Sequence, residues 1–141
     1  MNKIEFKDLP DTSTPLNASN LNLIQSNIED EFERLENYST NEIVIGKWID
    51  NKPVYRKVFV TRTPSSTLWT SVATASNVET MVDLRGTFYG NDGRQMSVNH
   101  PEKDYQVSTT YLNDRIEMKV EDPTWYNLNC FIIFEYTKTT D

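Results

Sequence analysis

Apolar residues along the 141-residue chain change their spacing once. In the first third, Leu21, Ile24, Ile28, Phe32 and Leu35 recur at steps of three and four, which keeps them on one face of a helix. Asn22, Ser26, Asp30, Glu33 and Glu36 occupy the opposite face, so the pattern predicts an amphipathic helix over Ala18–Glu36, about 28 Å long at 1.5 Å per residue. Asn17 is a good N-cap for it. Ahead of the cap, Pro10 and Pro15 bracket Asp11, Thr12, Ser13 and Thr14, a composition that blocks helix and predicts an extended or turning arm over residues 1–16.

From Glu42 onward the period becomes two. Ile43 and Ile45, then Val54, Val58 and Val60, fall at even intervals around the turn-forming stretch Asp50-Asn51-Lys52-Pro53, and this predicts a β-hairpin of half-buried strands. Leu68 to Ala73 fits either a strand or a short helical turn. Val78 to Tyr89 reads as a strand with Met81, Leu84 and Phe88 apolar and Gly86 a candidate bulge. Gly90-Asn91-Asp92-Gly93 is the strongest turn signal and joins that strand to Arg94–Val98. His100 to Asp104 reads as an exposed loop. Tyr105–Leu112 and Arg115–Val120 flank the two-residue turn Asn113-Asp114, with Ile116, Met118 and Val120 on the inward face. After a loop over Glu121–Asn127, Asn129 to Thr137 forms a last core strand. Seven or so short strands at such spacing predict an antiparallel β-sandwich or jelly-roll-like domain.

A helix this short is marginal in water by itself, so its apolar stripe requires a partner. Two arrangements satisfy it: packing on the sheet of the same chain, or a seam with copies of itself. With Leu21 at position a, Ile24 falls at d, Ile28 at a, Glu31 at d and Leu35 at a; Glu31 breaks the heptad. The step through Phe32 restores the stripe as an eleven-residue element, which favours a straight or slightly right-handed bundle. Leucine at a with isoleucine at d leans towards three or more strands.

Charge sharpens the division. The chain has a net charge of −7, and residues 1–42 hold nine carboxylates against Lys3, Lys7 and Arg34, so six of the seven net negative charges lie there. An acidic helix with a near-neutral β region argues against nucleic-acid binding, which requires clustered Lys and Arg. No apolar run approaches the ~20 residues of a membrane span, and the start of the chain lacks a signal-peptide core, so the sequence predicts no membrane insertion and synthesis in the cytoplasm without a cleaved leader.

Candidate chemistry is sparse. The single cysteine, Cys130, lies in an apolar run and is expected as a buried, inert thiol. His100, the single histidine, precedes a proline in a polar loop. Any two of Asp83, Asp92, Asp104, Glu117, Asp122 and Glu135 could meet as a glycosidase pair, but nothing in the sequence selects two of them. Metal-ligand clusters and glycine-rich phosphate cradles are lacking, so no enzyme, metal or cofactor is expected. Aromatics remain. Sugar rings stack their C–H faces on Trp and Tyr and present hydroxyls to Asp and Asn, so Asp122, Trp125, Tyr126 and Asn127 form the best candidate glycan loop, with Tyr89 and Asp92 second. Capping of the core is the competing role for Trp125. Trp48 and Trp69 are expected to be structural.

Three segments carry a resemblance. Gly46-Lys47-Trp48-Ile49-Asp50-Asn51-Lys52-Pro53-Val54-Tyr55-Arg56-Lys57 resembles a recurrent hairpin of fibre and tail-tip proteins of bacteriophages infecting Gram-positive hosts. The stretch Asp8 to Asn22 is similar to the segment that precedes a helix in that group, and Phe134 to Asp141 is similar to its C-terminal end; residues 64–125 match only loosely. The resemblance implies a helical stem over residues 1–41, trimeric through Leu21, Ile24, Ile28, Phe32 and Leu35, and a β-rich head over residues 42–141. It implies a virion component that contacts other virion proteins and attaches to host cell-wall or surface polysaccharide, with a structural connector or head-decoration subunit as the alternative.

Overall fold

The computed structural model describes residues 18–140 and, within the helix, the side chains up to residue 33. The expected arm over residues 1–16, the Asn17 cap, the side chain of Leu35 and the terminal Asp141 lie outside the described residues. The chain divides between Asn37 and Tyr38 into two units. In the first, Ala18–Glu36 is an α-helix, α1. It contains no glycine or proline, and the Gln25 amide donates to Glu29 Oε1 at 2.8 Å, one turn along.

The second unit is antiparallel β. Its strands are β1 (Ile43–Lys47), β2 (Pro53–Arg62), β3 (Thr70–Thr74), β4 (Val78–Tyr89), β5 (Gln95–Ser97), β6 (Val107–Leu112), β7 (Arg115–Val120) and β8 (Asn129–Lys138). They form a five-stranded sheet in the order β1-β2-β8-β4-β5 and a three-stranded sheet in the order β3-β7-β6. Short 3-10 turns at Lys103–Tyr105 and Pro123–Trp125 interrupt the two long loops. Leu68 to Ala73, ambiguous by periodicity, resolves into β3.

The turns follow local chemistry. Asn51 takes φ 69°, and the Lys52 amide donates to Asp50 Oδ1 at 3.0 Å, which closes the β1–β2 hairpin just before Pro53 pairs with Lys47. Pro53 is tolerated because it is the first residue of its strand. Gly93 (φ 85°) serves the β4–β5 turn, and Asn113 and Asp114 (φ 49° and 62°) make the tight turn between β6 and β7. Two successive positive φ values match the right-handed strand twist.

Both sheets feed one buried cluster. β8 supplies Cys130, Ile132, Phe134 and Tyr136, β7 supplies Ile116, Met118 and Val120, β4 supplies Phe88 and β6 supplies Val107. Every second residue of β7 is fully buried, as its alternation requires. β2 follows its valines only in part. Val54 is buried and Val58 half-buried, but Val60 on the same face is 63% exposed, and it is Tyr55 and Phe59 that pack against the common core. The strand is apolar at both parities, and the face that buries two aromatic rings removes more apolar area from water.

Gly86 is also not a bulge. The irregularities of β4 fall between Val78 and Thr80 and between Met81 and Asp83, while Gly86 pairs regularly with Ile132. Its lack of a side chain serves close approach: a Cβ there would lie 2.4 Å from the Phe131 carbonyl oxygen.

Gly86→Ala is expected to destabilise the β unit by about 1–3 kcal/mol in urea unfolding, because strand backbone must move. Gly46→Ala, where a Cβ would meet nothing within 4 Å, should stay within about 1 kcal/mol of the parent.

Candidate functional site

Two regions were marked by the sequence: the stripe of α1 and the loops around Trp125 and Tyr89. On α1, Leu21, Ile28 and Phe32 are 49%, 51% and 61% exposed, and Leu23 and Ile24 are half-buried. Three large apolar side chains thus line one helical face in contact with water, each forgoing part of the ~1.5–3 kcal/mol that full burial supplies.

The loop residues do not assemble as one sugar pocket. Asp122 is the cap of the 3-10 turn, accepting the Thr124 amide at 2.7 Å. The Thr124 side chain first, and then this amide, hold its carboxyl below the usual range. With Pro123 in the first position of the turn, Trp125 is directed inward, where it is buried, packs edge-on to Phe88 at 5.9 Å and donates from Nε1 to the Asp104 carbonyl at 2.7 Å. Its ring is core, not a platform. The fully buried Thr63 hydroxyl bridges this loop, donating to the Trp125 carbonyl at 2.5 Å and accepting the Leu128 amide at 2.9 Å. Tyr126 is half-buried against the same core. Asn127 takes φ 58° and joins the loop to Thr63 through its amide, 3.0 Å from the carbonyl oxygen.

The second candidate loop does meet the first, though through backbone. A Cβ on Gly90 would come within 3.3 Å of the Trp125 ring and 2.7 Å of Asp92 Oδ1. Tyr89, however, follows Phe88 in β4 and therefore faces the other side of the sheet, edge-on to Phe131 at 5.6 Å. Asp92 is committed to its own turn, accepting the Arg94 amide and pairing with the Arg94 guanidinium, both at 3.1 Å.

The outward face of the larger sheet carries two features that the sequence reading missed. One is an apolar patch of Val60, Phe131 and Tyr89, contiguous because Val60 pairs with Phe131 across β2 and β8. The other is an ion cluster: Glu135, 9% exposed, accepts Arg56 Nε at 2.8 Å and Arg85 Nη2 at 3.2 Å, and Arg85 also pairs with Asp83. Once the strand order is known both are readable, since Arg56, Glu135 and Asp83 share one register line.

A third exposed aromatic is Trp69, assigned a structural role from the sequence but 46% exposed immediately before β3. The Lys119 ammonium sits 5.5 Å from its ring centroid. Trp48, by contrast, is half-buried beside the hairpin turn.

The cysteine and the histidine are both tied into the β unit. Cys130 is fully buried in β8, and burial pushes its thiol up to about 12. The His100 ring packs edge-on to Tyr105 at 5.7 Å, and its Nδ1 accepts the Glu102 amide at 3.2 Å. Among the described residues, no three His, Cys, Asp or Glu side chains are grouped to hold a metal ion. Also among the described residues, no helix is long and apolar enough to cross a membrane. No family model, curated protein or solved structure matches the chain.

Thr63→Val is expected to cost about 1–3 kcal/mol, because a buried carbonyl and a buried amide both lose their partner. Native protein at pH 8 should leave Cys130 unreacted with a thiol reagent over hours, and urea should release it. Because the folded thiol is raised from 9.0 to about 12, its contribution to stability is complete below pH 9 and is lost as pH climbs towards 12. Cys130→Ala should flatten that part of the alkaline unfolding curve.

Proposed function

We propose that the chain is a trimeric virion appendage protein, a fibre or tail-tip component, whose β units attach the particle to polysaccharide on the host surface. In this reading α1 is a short coiled-coil stem, and the two sheets form a sandwich-like head around their common core. The observation that carries it is the exposed stripe of Leu21, Ile28 and Phe32. Copies of the same stripe, repeating at steps of three and four, are the partner that covers it in register. Concentration of acid along the same segment does not oppose this, because, Glu31 apart, the carboxylates of α1 lie off the stripe. The resemblance of the Gly46–Lys57 hairpin to phage fibre proteins supplies the virion context. Three linked heads convert weak single-site contacts into durable attachment.

A connector or head-decoration subunit without glycan affinity is the competing reading, and the Val60, Phe131 and Tyr89 patch favours it as a surface for another virion protein. Sedimentation with whole Gram-positive cell envelopes discriminates: the attachment reading expects co-sedimentation, and a protein that stays in the supernatant is a connector.

Light scattering is expected to give three times the 16.4 kDa chain mass. Ile24→Asp combined with Ile28→Asp should raise the dissociation constant of the trimer at least ~100-fold by placing unpaired carboxylates in the seam. Circular dichroism of that variant should retain the β signal. A monomeric parent at high concentration would refute the stem.

A further inference from the structure

We propose that the outward face of the three-stranded sheet is a binding surface for a neutral, pyranose-based polysaccharide, centred on Trp69. The proposal rests on the attachment reading above and names where attachment occurs. Strand pairing builds the surface. Ile116, Met118 and Val120 of β7 point into the core, so Glu117 and Lys119 point away from it. Ser71 pairs with Glu117 across β3, and Ser108 pairs with Lys119 across β6. Trp69 lies one residue ahead of β3 and meets Lys119 on the same outward face.

Exposure distinguishes this indole from the other two tryptophans, one buried and one half-buried. The Lys119 ammonium occupies a position over the ring, yet 46% of Trp69 remains open, and its neighbour Leu68 is 74% exposed. An indole supported from one side and wetted on the other costs free energy unless something apolar covers it. The C–H face of a pyranose ring is such a cover, and its hydroxyls then reach polar groups around the ring.

Charge selects the ligand class. Lys119 Nζ lies 2.6 Å from Glu121 Oε1, and Arg115 Nη2 lies 3.6 Å from Glu117 Oε1, so each cation on this face is matched by a carboxylate. The Lys119 hydrogen bond holds the Glu121 carboxyl below its ordinary range. A phosphate polymer requires uncompensated cations, whereas alternating donors and acceptors suit uncharged hydroxyls. Ser108 and Glu117 are themselves largely covered, so the open part of this face is its Trp69 and Leu68 edge, and the sugar chain lies along that edge.

The test is retardation of the full chain in native gels containing a soluble neutral glucan, galactan or rhamnan, with polyglycerol phosphate as the charged comparator. Parallel sedimentation uses whole Gram-positive envelopes. At least one neutral polymer is expected to retard the parent. Trp69→Ala should weaken that binding about tenfold, Trp69→Tyr should restore part of it, and Trp48→Phe should leave it unchanged. Light scattering of each variant should show the parental mass. If Trp69→Ala binds a neutral polymer as the parent does, the site is wrong and the attachment reading survives. If the parent binds neither polymer nor envelope, both fall. Stronger retardation by polyglycerol phosphate than by any neutral polymer overturns the ligand class, and a changed mass in Trp69→Ala reassigns the ring to a subunit contact.

Discussion

The β unit depends on the insertion of its last strand between two earlier ones. β8 pairs with β2 on one side and β4 on the other, so it alone connects the β1–β2 hairpin to the β4–β5 pair. Its inner residues Cys130, Ile132, Phe134 and Tyr136 are each at most 3% exposed. The insertion is expensive in chain entropy, because β2 must wait for partners far along the chain: Val58 meets Ile133. It is offset by a continuous apolar column that touches both sheets. Gly86 belongs to this same constraint, since β4 can lie flush against β8 only where no Cβ intervenes.

Polar ties fix the ends of that strand. Tyr136 donates to the Glu42 carboxylate, which also receives Lys138, so the start of the β unit is held to its finish. Burial first, and then the neighbouring carboxylate, pushes the Tyr136 hydroxyl upward, which extends into alkaline pH the range over which it donates. At the other end Thr63 anchors the loop that delivers Trp125 to the core. On the outward face, Glu135 is stabilised by two guanidinium groups instead of by water. A pair of this kind contributes little net stability when intact, but either partner is costly to remove alone.

Two surfaces of different physics carry the proposed function. α1 carries an apolar stripe that an isolated helix leaves wet, and the proposed stem covers it by self-association. The β unit carries exposed aromatic groups in two environments: Trp69 among matched charges on the smaller sheet, and the Tyr89 and Phe131 patch on the larger. A ring set among polar groups suits a hydroxyl-bearing ligand, while a continuous apolar patch suits protein. Attachment and connection, as proposed, therefore use outward faces of two different sheets.

By itself the sequence determined what depends on neighbours along the chain. The helix over Ala18–Glu36 followed from a period of three and four, and the tight turn at Asn113-Asp114 from residues that tolerate positive φ. The clean alternation of Ile116, Met118 and Val120 assigned their face correctly because their intervening residues are charged. What the tertiary structure decided were choices between locally equivalent options. β2 is apolar at both parities, so only its pairing with β8 could set Tyr55 and Phe59 inward and leave Val60 in water. Asp122, Trp125, Tyr126 and Asn127 have the composition of a sugar loop, yet the 3-10 turn capped by Asp122 rotates Trp125 into the core. Trp69 carries no local signal of exposure; its position follows from the register of β3 on β7, a contact between residues some fifty positions apart that no periodicity encodes.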